Sequence, residues 1–165
     1  MSEPVIRPVR PSDVASIEEI AVAAWEPVFA GFGEAMGEEM LRATRGDWRE
    51  EKARQVRTAC QERPGQAFVA EDPETGRVAG FVTFHVTERP TKLGEIGNNA
   101  VHPDFQGRGI ATRLYGRVLE RLRELGCTHA KVSTGGDEAH APARRAYEKA
   151  GFSVMIPHVT YWMEL

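Results

Sequence analysis

A glycine-interrupted turn between a β-prone run and an amphipathic helix constrains this chain most. Glu95-Ile96-Gly97-Asn98-Asn99-Ala100-Val101 reads as a strand, and Gln106-Gly107-Arg108-Gly109-Ile110-Ala111-Thr112 as the turn that follows it. Ile110, Leu114, Val118, Leu122 and Leu125 then recur at near-helical spacing as far as Gly126, a natural C-terminal stop. A strand that runs straight into such a helix commits the chain to a sheet with the helix packed across it. Glycine at 107 and 109 removes Cβ atoms where the backbone bends, so several main-chain N–H groups at the helix start can converge on one anion. Arg108 and Arg113 add formal charge beside them. The turn therefore reads as a phosphate cradle, although a glycine turn standing alone more often serves only loop geometry, and its neighbours have to decide.

The two familiar phosphate loops do not fit, since there is neither Gly-x-x-x-x-Gly-Lys-Ser/Thr nor Gly-x-Gly-x-x-Gly after a strand. Upstream, Val5-Ile6-Arg7-Pro8-Val9 reads as a strand, and Ser12-Asp13 caps a helix with Val14, Ile17, Ile20 and Ala21 on one face. From Trp25 to Pro64 the pattern is helical but broken by Gly31, Gly33, Gly37 and Gly46. Ala67–Ala70 and Val78–Phe84 flank a turn at Asp72-Pro73-Glu74-Thr75-Gly76 and predict an antiparallel hairpin, with a third strand, Gly94 to Val101, after Glu88-Arg89-Pro90. Downstream, Ala130–Ser133 reads as a strand and Pro142 opens a helix through Lys149 that Gly151 ends. Phe152–Ile156 and Val159–Met163 read as two closing strands.

At 165 residues the chain suits one domain, 1–165, with a substantial core. A net charge of -3 leaves no general attraction to nucleic acid or to an anionic membrane, so any basic site must be local. The two cysteines, Cys60 and Cys127, match no metal-ligand spacing, and the five histidines form no His-Glu-x-x-His cluster, so no metal is expected. With neither a signal-peptide pattern nor a membrane-length apolar run, the expected location is cytoplasmic.

Strand, phosphate turn, amphipathic helix, strand and Ala-x-x-Ala-Tyr-Glu-Lys-Ala-Gly-Phe, in that order, resemble the GNAT superfamily of acetyl-CoA-dependent N-acetyltransferases. Ala100-Val101-His102-Pro103 leads into Gln106-Gly107-Arg108-Gly109-Ile110-Ala111, which is similar to that family's Arg/Gln-x-x-Gly-x-Gly/Ala pyrophosphate loop, and Ala143 to Phe152 is similar to its closing helix. These motifs span about the last third of the chain. The resemblance implies an α/β fold, a mixed, mainly antiparallel twisted sheet of about six or seven strands flanked by about four helices. It also implies transfer of an acetyl group from acetyl-CoA to a primary amine, by direct attack in a ternary complex. The competing reading is a non-catalytic acyl-CoA-binding sensor or regulatory protein.

On that resemblance the main chain of Gln106, Gly107, Arg108, Gly109, Ile110, Ala111 and Thr112 would hold the pyrophosphate of CoA. Asn99, Ala100 and Val101 would lend main-chain groups to the pantetheine arm, with the Val101 N–H polarising the thioester carbonyl. Tyr147, on one helix stripe with Ala143, would give a proton to the departing thiolate, and the position seven residues earlier, often Asn in the family, is here His140. Glu95, five residues before Ala100, occupies the place of a glutamate base in one branch of the superfamily; the plain alternative is a solvated strand carboxylate. Regular alternation would put Glu95, Gly97 and Asn99 on one side of their strand, and Asn98 on the other unless a bulge changes the phase. The acceptor, a small amine, would enter near Ala23 to Trp48, where Trp25, Phe29, Phe32 and Trp48 could wall a pocket and Glu26, Glu34, Glu38 and Glu39 could attract a cation; the plain alternative is packing aromatics and solvated helix carboxylates. The closing strand pair offers an edge for a homodimer.

Overall fold

The computed structural model describes residues 2–165 except Arg89. The turn expected at Glu88-Arg89-Pro90 therefore lies partly outside the described residues. The chain builds β1 (Val5–Pro8), α1 (Val14–Met36), α2 (Glu38–Arg45), α3 (Trp48–Glu62), β2 (Ala67–Glu71), β3 (Val78–Thr87), β4 (Leu93–Val101), α4 (Ile110–Glu124), β5 (His129–Val132) and α5 (Ala141–Lys149). The strands lie in the order β1-β2-β3-β4-β5. All neighbours are antiparallel except β4 and β5, which are parallel because α4 crosses over between them.

Strand alternation splits the core into two layers. Phe68 and Ala70 of β2 face one side with Val82, Phe84 and Ile96, against Ile110, Leu114, Val118 and Leu122 of α4. Ala67 and Val69 face the other side with Phe81, against Ile17, Ile20 and Ala21 of α1 and Val56 and Cys60 of α3. The site lies where these layers meet the ends of β4 and β5.

Two expectations need correction. The glycines after Trp25 do not all break the helix. α1 runs unbroken through Pro27, Gly31 and Gly33, and breaks come only at Gly37 (φ 83°) and Gly46 (φ 56°). Packing of the α1 stripe against α3 and the sheet outweighs a propensity cost of about 1 kcal/mol per glycine.

The second correction concerns the sheet, which has five strands among the described residues rather than six or seven. Phe152–Ile156 and Val159–Met163 adopt no strand pairing, and Val154, Met155, Ile156, Val159, Tyr161 and Met163 are exposed. β-propensity measures fit to a pleated, half-buried surface, and a β-prone segment becomes a strand only where an edge receives it. Of this tail, Phe152 meets Tyr147 edge-on (6.1 Å between centroids), and Trp162 lies under the Arg45 guanidinium (5.5 Å).

Candidate functional site

The site begins at a gap between two parallel strands. β4 and β5 pair from Leu93↔His129 to Ile96↔Val132 and no further, so Gly97 to Val101 pair only with β3. The register with β3 fixes which main-chain groups face that gap. The His102 N–H donates to the Ala79 carbonyl (2.9 Å), which makes Gly80↔Val101 a pair of the non-hydrogen-bonded kind. The Val101 N–H consequently points away from β3, into the gap, and so does that of Asn99, two residues earlier. Gln106 Nε2 ties the strand end to the turn by donating to the Val101 carbonyl (3.2 Å).

A bulge decides which side chains serve the site. Val82 pairs with Asn99 but Phe84 pairs with Ile96, so β4 carries one residue more than β3 between these points. The extra residue inverts the alternation. Ile96 and Asn99 both face α4 and α5, while Glu95 and Asn98 lie on the side of α3. The regular alternation that grouped Glu95 with Asn99 is thereby overturned, and Asn98 shares the α3 side with Glu95.

Asn99 does more than lend main chain. Its Oδ1 accepts from the Tyr115 hydroxyl (2.6 Å), and its Nδ2 donates to the Tyr147 hydroxyl (3.1 Å) and to the Gly97 carbonyl (3.0 Å). The Tyr147 hydroxyl lies 3.4 Å from the same Oδ1, and the two tyrosine rings are 4.9 Å apart. Burial raises the pKa of Tyr147 above its usual value, opposed by the hydrogen bonds from Asn99 and Tyr115, and burial raises that of Tyr115 further. Both phenols therefore stay protonated through the neutral range. Tyr115 is absent from the sequence-based candidates because it sits one residue past Leu114 on the helix stripe, where an aromatic reads as core.

The glycine turn takes the geometry its composition demanded. Gly107 (φ 75°) and Gly109 (φ 72°) are left-handed, and Gly109 is the N-cap of α4. No side chain caps the helix, so the N–H groups of Ile110, Ala111 and Thr112 stand at an uncapped positive dipole end. Space within 4 Å of a Cβ at either glycine is clear, which leaves the backbone open to a bulky anion. Arg108 lies over Phe105 (5.1 Å) and donates to the Asp104 carbonyl (3.1 Å), while Arg113 pairs with Glu3 (3.4 Å). Arg117 is occupied by Glu120, Glu124 and the face of Phe68, which makes it a surface residue.

Glu95 is held between Lys131 (3.0 Å) and His85 (3.2 Å), its cross-strand neighbours on β5 and β3. His140 precedes α5 and pairs with Asp137 (2.7 Å between Nδ1 and Oδ2). Ala143 is partly buried on α5, against the α4 layer. The Cys60 thiol, buried on the opposite layer, is pushed up to about 11 by burial, so it offers no thiolate at neutral pH. Trp25, Phe29, Phe32 and Trp48 do wall one cleft, together with His140 and Gly135. The expected cation attraction is not built there: Glu26 is taken by a two-pronged pair with Arg49 (2.7 and 2.8 Å), and Glu34, Glu38 and Glu39 are exposed and do not line it. Among the described residues no cluster of metal-ligating side chains occurs, and no helix is long and apolar enough to cross a membrane.

A left-handed glycine turn at an uncapped helix start, a strand gap with inward N–H groups and a buried tyrosine thus lie together at the ends of β4 and β5. Residues 33–152 match the acetyltransferase (GNAT) family, and the chain belongs to it. A mycothiol acetyltransferase from Tsukamurella paurometabola is 31% identical over 147 residues, 86% of this chain and 44% of that protein. Another from Thermobifida fusca is 34% identical over 104 residues, 59% of this chain and 32% of its own. The chain thus spans less than half the length of these curated relatives. Among solved structures, a mutant of the BH1408 protein from Bacillus halodurans superposes with a TM-score of 0.73 at 12% identity, covering 97% of this chain and 99% of that one. A GNAT family acetyltransferase from Brucella melitensis in complex with acetyl-CoA gives 0.60 at 22% identity, covering 93% and 85%. These structures share the fold, which is that of a GNAT acetyltransferase.

Proposed function

We propose that this chain transfers an acetyl group from acetyl-CoA to a primary amine by direct attack in a ternary complex. The observation that carries the reading is the Asn99 amide, which holds the Tyr147 hydroxyl beside the stretch of β4 that has no β5 partner. In this mechanism the main chain from Gly107 to Thr112 binds the pyrophosphate, with Gln106 fixing the turn to β4. Asn99, Ala100 and Val101 align the pantetheine arm along the gap, flanked by His140 and Ala143 at the start of α5.

The neutral amine attacks the thioester carbon and forms the C–N bond, while the Val101 N–H donates to the carbonyl oxygen as charge builds there. The C–S bond then breaks, and the thiolate takes the proton of the Tyr147 hydroxyl, which solvent restores. Glu95, on the same side of β4 as Asn98, receives the proton of the attacking amine through an ordered water. Acetyl-CoA serves as co-substrate, and no metal takes part. The relatives named mycothiol acetyltransferase are consistent with a small acceptor. The free β5 edge and the apolar tail form the surface proposed for a homodimer, with the cytoplasm as the working compartment.

The test is release of free CoA thiol from acetyl-CoA in the presence of a chemically broad amine panel. Amine-dependent release is expected. Tight acetyl-CoA binding without release for any amine would instead establish the non-catalytic acyl-CoA sensor.

A further inference from the structure

The aromatic cleft is lined by two cations, Arg45 and Lys52, that pair with no carboxylate among the described residues. It measures about 360 Å³ and lies between α1, α2, α3 and the loop after β5. Phe29 stacks on Trp48 (4.1 Å, 7° between planes), and Phe32 meets Phe29 edge-on (5.6 Å), which gives a flat apolar wall. Arg45 lies over the Phe32 ring (5.7 Å) and Lys52 Nζ over the Trp25 ring (4.3 Å). Lys52 donates only to the neutral amide oxygens of Gln55 (3.1 Å) and Asn98 (3.3 Å). Among the described residues neither cation has a carboxylate oxygen within 4.0 Å.

The acidic groups around the cleft are committed elsewhere. Glu26 is bound by Arg49, Asp137 by His140, and Glu51, one residue before Lys52, by Arg54 and Gln55. Burial lowers the pKa of Lys52, with Glu51 partly opposing it, so the charged ammonium stands there at a cost that a bound anion would offset. The cleft also reaches the chemistry. Lys52 grips Asn98, the neighbour of the Asn99 that holds Tyr147, and His140 on the cleft wall directly precedes the helix that carries Tyr147.

Resting on the acetyltransferase reading above, we propose that the acceptor is an amine that carries a carboxylate and a bulky apolar body, an apolar or aromatic α-amino acid by class. Its carboxylate pairs with Lys52, which reaches Asn98 of β4, its side chain lies on the Phe29–Trp48 wall, and its amine is thereby directed at the β4 gap. The selectivity is set by charge, because an acceptor lacking the anion leaves the half-buried Lys52 ammonium without a counter-charge.

The experiment compares matched acceptors in the CoA-release assay: phenylalanine and tryptophan against phenylalaninamide, phenethylamine and tryptamine. The carboxylates are expected to show kcat/KM roughly 10-fold to 100-fold higher, the range for one charge-assisted contact. Lys52→Met is expected to raise KM for the carboxylates about tenfold more than for their uncharged counterparts while leaving the acetyl-CoA affinity unchanged. Equal use of both members of each pair, or preference for the uncharged ones, overturns the anion site and leaves acetyl transfer standing. A variant that weakens charged and uncharged acceptors equally also overturns it. No release with any acceptor overturns the acetyltransferase reading itself.

Discussion

Replacing Tyr147 with Phe removes one hydroxyl from a place where every partner remains satisfied. Tyr147 is 6% exposed, and its ring contacts with Tyr115 and Phe152 survive the change. Asn99 Nδ2 keeps the Gly97 carbonyl (3.0 Å), and Asn99 Oδ1 keeps the Tyr115 hydroxyl (2.6 Å). The loss in stability is one neutral hydrogen bond, about 1 kcal/mol, or a fall in Tm of about 2–4 °C for a chain of this size. The loss in rate is larger, since removing a general acid costs roughly 10²–10⁴ in turnover, about 3–5 kcal/mol of barrier. Asn99→Ala gives the contrast. It leaves two buried hydroxyls without their amide partner at about 1–3 kcal/mol each, a large part of a total stability of roughly 5–15 kcal/mol.

Thermal melts, acetyl-CoA calorimetry and single-turnover acetyl transfer separate these effects. Tyr147→Phe is expected to melt within a few degrees of the parent, bind acetyl-CoA within about twofold and transfer at least ~100-fold more slowly. Because burial raises the Tyr147 pKa above its usual 10, its ionisation should not limit activity below that pH. Parallel loss of turnover and acetyl-CoA affinity in Tyr147→Phe would refute the acid role and make the residue a packing group.

Gly109→Val places a β-branched residue at φ 72°, a strain of about 1–2 kcal/mol with no steric clash; the turn should relax by moving its N–H groups, and calorimetry should show acetyl-CoA affinity down about tenfold or more. An unchanged affinity would remove the turn from the binding site. Glu95→Gln should depress transfer at neutral pH and abolish the acid limb of the kcat/KM profile, whereas an intact limb would assign the base elsewhere. Asp13 is buried, which disfavours its charge, but bonds from Arg7 (2.7 and 2.9 Å) and from the Arg10 N–H (2.7 Å) prevail and hold its pKa below the usual carboxylate range. Its contribution to stability is therefore present above the unfolded pKa and lost as pH falls through the depressed folded one. Asp13→Asn should lower Tm at pH 7, with the gap to the parent narrowing as pH falls below the usual carboxylate range; a gap independent of pH would show that the carboxylate charge is not what stabilises the corner.

Much of the site was legible because its signals are local. The positive φ of Gly107 and Gly109, the N-cap at Gly109 and the stripe of α4 are all demands of near neighbours in the chain, and the residues chosen can hardly adopt another arrangement. The same holds for the stop at Gly151 (φ 105°) and for the strand that ends before Pro103. Non-local matters were not legible. Gly31 and Gly33 read as breaks, yet α1 runs through them because α3 and the sheet cover its stripe. The tail alternates like a strand, yet it finds no edge and stays unpaired.

The chain's sequence by itself determined that a phosphate turn joins a strand to a helix and that Tyr147 belongs to a helix stripe following it, because glycine φ preferences and helical periodicity act over a few residues. Only the tertiary structure decided which side of β4 each residue serves. One extra residue against β3 inverts the alternation, sends Asn99 to the two tyrosines and Asn98 to Lys52, and the register of a strand pair is set by long-range hydrogen bonding that no local pattern records. Charge at the cleft was decided in the same way. Counting glutamates suggested a cation site, but folding paired Glu26 with Arg49 and set Lys52 and Arg45 over aromatic rings, with no carboxylate partner among the described residues. What a charge does depends on whether folding gives it a partner.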